Sequence, residues 1–381
     1  MMKQIQVLLL MGGMVILFMS QASYGRDDDA GVVRTGSDNI SIRVGGTMQT
    51  RLTYAIDGGV NELEESTSRL GFGIRRTRFL IYTDIGDRIG LFFQMEGSGG
   101  TVSWLDLRGE YRIGDKTVLR MGRFVGAQPR AFARTSHSKA DGVDLPVIAE
   151  KWGRMTIGSD GRDYGVEANW YLSEFELRAF VHNGYNKFNY CSAIGQEPVT
   201  GGVNTDGLAV SLAGTYKPGA LENIEMGGFA SLNTSRNPLT AVDGVGRNYF
   251  SYSFHSYWGP LPGDQAVRLK ADVIGIQYQE VEPFGSENSI GASFFGGVLA
   301  APHIEIFARG EYWHSDRGGR ESVEAIYGTA GGTFSLSALK GDPFVANRIS
   351  LAYSLRTQHC DDMSLDRNPA HVFMVHTQFC F

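Results

Sequence analysis

Beyond Met19 the sequence has no apolar run of about eighteen residues, which excludes a membrane-crossing helix after that point. Proline is scarce, 11 in 381 residues, so the chain is neither collagen-like nor a proline-rich disordered segment. Cysteine stands at three positions only, Cys191, Cys360 and Cys380. That is too few for a disulfide framework, and the odd count leaves a free thiol or an intermolecular pair. The 35 basic residues are mostly arginine, with lysine rare. The formal charge of −6 argues against nucleic acid as a partner. No G-x-S-x-G, P-loop, H-E-x-x-H or C-x-x-C occurs, and the eight histidines are scattered without ligand spacing. Neither catalysis nor a metal or other cofactor is expected.

What is present begins with a leader. "MMKQIQVLLLMGGMVILFMSQASYG" has one early charge, Lys3, an apolar run from Val7 to Met19, and small residues at Ala22 and Gly25. This reads as a secretory signal peptide over 1–25. Residues 26–381 then form one exported domain.

That domain alternates. In 39–56, Ile40, Ile42, Val44, Met48, Leu52, Tyr54 and Ile56 share one parity, and Arg43, Thr47, Gln49, Arg51 and Thr53 the other. The same period of two recurs in 102–113, 162–172, 206–217 and 303–315, predicting long strands with one apolar and one polar face. Short turns are expected at 84–87, 114–116, 173–174, 218–222, 259–264, 300–302 and 340–346. Other connections, many longer, are expected at 57–68, 97–101, 125–161, 184–205, 234–246, 282–288, 316–321 and 358–369. These fifteen connections join about sixteen strands with both ends on the turn side. The expectation is an all-β, transmembrane antiparallel β-barrel in the bacterial outer membrane, its apolar face against lipid. A soluble sandwich would need one shared core, which sixteen strands with polar second faces do not supply. At outward parity, Trp170, Tyr111 and Tyr216 lie near turn ends, and Tyr54 and Tyr312 near loop ends, as two interfacial girdles would. The last strand, with Phe373, Phe379 and Phe381 on one parity, resembles the signal by which the barrel assembly machinery takes up such chains. It should pair with the first strand to close the sheet.

Several segments, in order, resemble the phosphate-selective porin O and P family. They are "GIRRTRFLIYTDIGDRIGLFFQMEG" (73–97), "DLRGEYRIGDKTVLRMGRF" (106–124), "GRDYGV" (161–166), "FVHNGYN" (180–186) and "IEIFARGEYW" (304–313). The resemblance implies a homotrimer of sixteen-stranded pores for small solutes, with the third long loop, 125–161, folded inward. Phosphate-specific members carry lumenal arginines and a lysine cluster; this chain has the arginines and no such cluster.

Inward parity nominates Arg43, Arg51, Arg75, Arg108, Arg112, Arg178 and Arg309 as pore-lining. Arginine suits phosphate and carboxylate because its fork donates two parallel hydrogen bonds and stays charged. On the third loop, Arg130, Arg134, Lys139 and Lys151 are candidates for the constriction. The run Arg75–Arg76–Thr77–Arg78 breaks the alternation, so at least one of these arginines is expected outward or in a subunit contact. Acidic residues share the inward faces, among them Asp106, Glu110, Glu167, Glu176, Glu305 and Glu311, and Glu62, Glu64 and Glu65 add charge at the mouth. Two readings therefore stand: a porin for small anionic or neutral solutes with modest anion preference, or a general, weakly selective pore whose arginines brace the wall. A barrel phospholipase is a lesser alternative, since His182–Asn183–Gly184 resembles part of such a site without an adjacent serine. A plugged structural barrel is another.

Overall fold

A computed structural model describes residues 32–34, 39–57, 67–186, 207–219, 221, 223–241, 244–280, 285–316, 322–360 and 367–381. The expected leader, Cys191 and the acidic group at 62–65 lie outside these residues. Among them are seventeen strands: β1 (Val32–Arg34), β2 (Ile40–Asp57), β3 (Thr67–Ile85), β4 (Ile89–Glu96), β5 (Ser103–Ile113), β6 (Thr117–Phe124), β7 (Asp163–Tyr171), β8 (Phe175–His182), β9 (Ala209–Tyr216), β10 (Ile224–Asn233), β11 (Tyr249–Trp258), β12 (Val267–Tyr278), β13 (Glu287–Ala301), β14 (Ile304–Asp316), β15 (Val323–Ser335), β16 (Arg348–Cys360) and β17 (Arg367–Cys380). One helix, α1 (Val147–Met155), lies in the segment between β6 and β7.

Each strand from β2 to β16 pairs antiparallel with the next, and β17 pairs with β2, for example Val375 with Leu52. The sixteen strands β2 to β17 thus close on themselves and satisfy their backbone internally, the condition for crossing lipid. The short β1 pairs with residues 41–43 of β2, below the end of β17 on the same edge. All seven short turns and eight other connections fall where alternation placed them, with two clear differences of length: β16 and β17 each run three residues further than expected, leaving 361–366 between them instead of 358–369, and the β15–β16 connection is longer. The β15–β16 connection spans 336–347 instead of 340–346, because Ser335 and Ser337 fold it back with hydrogen bonds to the Phe344 and Pro343 carbonyls, both 2.8 Å.

The barrel is apolar outside and polar within. Leu212, Phe254, Phe294, Ile306 and Leu351 are exposed on the outer wall, whereas Ser211, Ser251, Ser293, Glu305 and Gln378 are buried on the inner one. This inverts the arrangement of a soluble core, as lipid requires.

The run 75–78 resolves differently from expectation. Gln49 pairs with Arg76 and Thr50 with Ile74, leaving Arg75 as an extra residue in a β-bulge. A bulge sets two successive residues against one on the partner strand, so both can leave by the same face. Arg75 and Arg76 both reach Asp144 inside the barrel, and Arg78 binds Glu96. None of the three turns outward.

At the closing seam Gly46 exchanges backbone hydrogen bonds with Phe381, 2.8 Å from Gly46 N to Phe381 O and 3.1 Å in return. The Phe381 ring occupies the place where a Gly46 side chain would stand. Gly46→Leu should therefore strain the seam by about 1–3 kcal/mol, the usual range for overpacking. We expect the wild type to run faster on a gel unheated than boiled, and Gly46→Leu or deletion of Phe381 to lower the fast-running fraction while export continues. Undiminished fast fractions in both variants would show that the seam does not depend on this contact.

Candidate functional site: the lumen and its inward segment

The site is built around residues 125–162, which connect β6 to β7 through the inside of the barrel. Non-helical backbone at membrane depth is tolerated only where protein or water satisfies it. Here the wall does so. Over 137–145 a series of loop carbonyls accepts from inward side chains. Gln49 donates to His137 O at 3.2 Å, Gln378 to Ser138 O at 2.9 Å, and Arg348 to Ala140 O at 2.9 Å. Ser350 donates to Gly142 O at 3.5 Å, Arg51 to Val143 O at 3.0 Å, and Arg309 to Asp144 O at 2.9 Å and Leu145 O at 3.3 Å. The donors come from β2, β14, β16 and β17.

Helix α1 follows Pro146, whose missing N–H suits a helix start. Glu311 accepts from the backbone N–H of Ile148 at 3.1 Å, supplying a partner that no side-chain cap provides. The helix packs against β12, β13 and β14. Trp152 meets Phe132 and Phe229 edge-on, ring centres 5.4 and 5.6 Å apart, and Gly153 leaves room for the Phe132 ring. These residues, with Phe124, Ile148, Phe180 and Trp313, form a dry cluster inside the barrel. Residues 137–152 thus pack against inward-facing side chains of the wall.

Each nominated residue can be placed. Of the seven candidate pore arginines, Arg51 and Arg309 hold the loop as above, and Arg178 donates to Val125 O at 3.2 Å and pairs with Glu167 at 2.7 Å. Arg75 pairs with Asp144 at 3.2 Å. Arg108 pairs with Glu110 at 2.8 Å, Arg112 with Asp84 at 2.5 Å and Arg43 with the same Asp84 at 3.3 Å. On the loop, Arg130 binds Glu225 at 2.5 Å and Arg134 approaches Glu176 and Thr215, both at 3.5 Å. Lys151 sits over the Trp313 and Tyr327 rings at 5.7 and 5.8 Å, and Lys139 lies half-buried in a short 3-10 turn. Phe373, Phe379 and Phe381 are exposed on the outer wall.

Exposure divides these arginines. The side chains of Arg178 and Arg309 are 7% exposed, whereas Arg43, Arg112 and Arg75 reach 28%, 27% and 35%. The loop packs against the far wall, and water-accessible charge gathers along β2 to β6. There the carboxylates are shared. Asp144 serves Arg51, Arg75 and Arg76; Glu110 serves Arg108 and Arg120; Asp84 serves Arg43 and Arg112; Asp106 serves Arg108 and Arg162. Parity had not marked Arg76, which alternation alone leaves ambiguous, nor Arg120 and Arg162.

The structure also assembles what the sequence keeps apart. Asp163 Oδ2 lies 2.6 Å from His182 Nδ1, His182 Nε2 lies 2.8 Å from Ser211 Oγ, and Ser211 donates to Ser231 at 2.8 Å. The order is that of an acid–histidine–serine relay. All four residues are buried and Phe180 stacks on the His182 ring at 4.4 Å, so no substrate reaches the hydroxyl.

Burial by itself would raise the Asp144 carboxyl, but Arg51, then Arg75 and Arg76, overcome it and hold it down at about 2. A carboxylate held below its ordinary value stabilises the docked loop above pH about 4 and loses that effect as pH falls through about 2. We expect pepsin to leave 137–145 intact at pH 4 and to cut it as pH approaches 2. Equal cleavage at both values would show that Asp144 does not hold the loop.

No family model matches this sequence, and no curated protein matches it either. Solved structures do match in fold. An anion-selective porin from Comamonas acidovorans superposes with a TM-score of 0.63 at 13% identity, covering 90% of this chain and all of that one. OmpF of Salmonella typhi, in complex with daunomycin, gives 0.61 at 10% identity over 92% of this chain and all of its own. The outer membrane channel DcaP of Acinetobacter baumannii gives 0.59 at 12% identity with the same coverage. At such identities the likeness speaks for architecture, and by architecture the chain is a closed sixteen-stranded barrel of porin type.

Proposed function

We propose that this protein is an outer-membrane porin through which small hydrophilic solutes diffuse passively, with a modest preference for anions, phosphate-like ones among them. The leader at 1–25 would direct its export. The observation that carries the anion preference is the sharing of Asp84, Glu110 and Asp144, each by two or three arginines, along the accessible side of the lumen. Shared acids leave an excess of positive charge there although the whole chain is negative. Permeating ions respond to charges within about one Debye length, ~8 Å at physiological salt, and not to the distant exterior. The same sharing keeps the preference modest, because each guanidinium is partly neutralised.

In a potassium chloride gradient across a planar bilayer, the wild-type reversal potential should lie on the anion side. Replacing both Arg108 and Arg112 by Gln keeps hydrogen-bonding capacity and removes two charges, and should move it toward the cation side. No movement would favour the general, weakly selective pore, with these arginines as wall braces. No conductance at all would favour a plugged structural barrel. The phospholipase reading loses ground on the closed environment of Ser211.

The functional unit in this reading is a homotrimer. Leu70 and Phe72 on β3, Val102 just before β5 and Met121 on β6 are 70–87% exposed, more than any other large apolar residue among the described ones. A similar fold, OmpT of Vibrio cholerae, is described in a trimer form. Light scattering of the detergent-solubilised barrel should give three times the chain mass; a monomer mass would overturn the assembly.

A further inference from the structure

One row of the accessible wall runs straight across four strands. Arg43 on β2 stands opposite Tyr82 on β3, Tyr82 opposite Phe92 on β4, and Phe92 opposite Arg108 on β5. Neighbouring strands lie about 4.8 Å apart, so the row is about 14 Å long. The Arg43 guanidinium carbon lies 4.4 Å from the Tyr82 ring centre, and that of Arg108 lies 4.3 Å from the Phe92 ring centre. The two rings are 6.1 Å apart and inclined at 51°. Gly90 makes this possible: a side chain there would meet the Tyr82 hydroxyl at 2.8 Å. Tyr82 thus lies across β4, its hydroxyl fixed by Glu110 at 3.1 Å and Arg112 at 2.5 Å.

The row combines two features: neighbouring accessible rings and end arginines with donors to spare. The inward rings of Phe180, Phe229, Tyr249 and Trp313 are buried in the apolar cluster; Tyr82 and Phe92, like Tyr171 and Tyr327, remain accessible, and they lie side by side with a guanidinium over each. The end arginines also keep donor capacity. Arg43 meets its carboxylate through Nη2 alone, and Arg108 meets Glu110 through Nε, with a longer 3.7 Å approach of Nη1 to Asp106.

A compact inorganic anion gains from guanidinium forks and nothing from rings. A planar aromatic carboxylate gains from both: a fork for its oxygens and an edge or offset face of Tyr82 or Phe92 for its ring. We propose that the row Arg43–Tyr82–Phe92–Arg108 is a subsite for aromatic carboxylates on the way to the turn-side mouth. The inference rests on the anion-conducting reading and adds to it a class of solute.

The test titrates single-channel chloride current with benzoate, acetate and inorganic phosphate. Benzoate should reduce the current at about one-fifth the concentration that acetate requires, the scale set by one ring contact, and phosphate should show no such advantage. Replacing Tyr82 and Phe92 together by Leu should bring the benzoate-to-acetate ratio close to one, while Tyr82→Phe, which keeps the ring, should preserve it. If the double variant gives no heat-shifted barrel, Phe92→Leu alone is read in the same way and should at least halve the ratio. A ratio near one in the wild type, or an undiminished ratio in the Leu variants, overturns the subsite. Chloride current without a benzoate advantage sinks this inference alone, whereas absence of any anion current sinks the porin reading beneath it.

Discussion

An irregular segment placed inside a membrane barrel must find hydrogen-bond partners without the help of a helix or a ladder, and this requirement organises the lumen. Unpaired buried carbonyls would each cost on the order of 1–3 kcal/mol. Between His137 and Leu145 they are instead met by Gln49, Arg51, Arg309, Arg348, Ser350 and Gln378. The guanidinium is well suited to the task, because one group can donate to two nearby carbonyls, as Arg309 does to Asp144 and Leu145 and Arg348 does to Ser138 and Ala140. The scarcity of lysine follows naturally: an ammonium is a compact point donor, and a fork spans neighbouring acceptors better.

The inward arginines therefore divide into two populations with different duties. Arg178 on β8, Arg309 on β14 and Arg348 on β16 are buried and fix the segment against the wall, and Arg51 on β2 helps them. Arg43, Arg75 and Arg112, on β2, β3 and β5, keep contact with water. Carboxylates link the two sets, and Asp144 is the clearest link: it sits on the segment yet collects arginines from β2 and β3. The position of the segment and the charge on the accessible inner wall are consequently not independent properties. A change at Asp144 touches both.

Strand order, closure and connection sites were legible in the sequence because a lipid-facing wall imposes a strict period of two over long stretches. Parity also marked Arg43, Arg108 and Arg112 as inward. It could not separate buried from accessible arginines, since both have the same period; that difference depends on where residues 125–162 pack. Nor could it find the Asp163–His182–Ser211 chain, whose members are up to 48 positions apart and meet only through the pairing of β7, β8 and β9. The cross-strand row that joins Arg43, Tyr82, Phe92 and Arg108 was hidden for the same reason, as register cannot be read from single strands. The misjudged run 75–78 shows the opposite limit. There the sequence announced an irregularity, and alternation could not say that an extra residue would absorb it.

That extra residue has a consequence for how β3 can change. Everything in β3 before Arg75 is one step out of phase with everything after it: Leu70, Phe72 and Ile74 face outward on even numbers, and Phe79 and Ile85 on odd ones. The strand is two half-strands spliced at a phase boundary. Loss of a single residue at the splice would take the bulge with it and leave both halves facing as they do, whereas loss of one residue elsewhere in the strand, with the bulge kept, would exchange the lipid side and the water side of one half. Length variation in this strand is thereby confined: a tolerated indel must come in pairs, or carry the bulge with it.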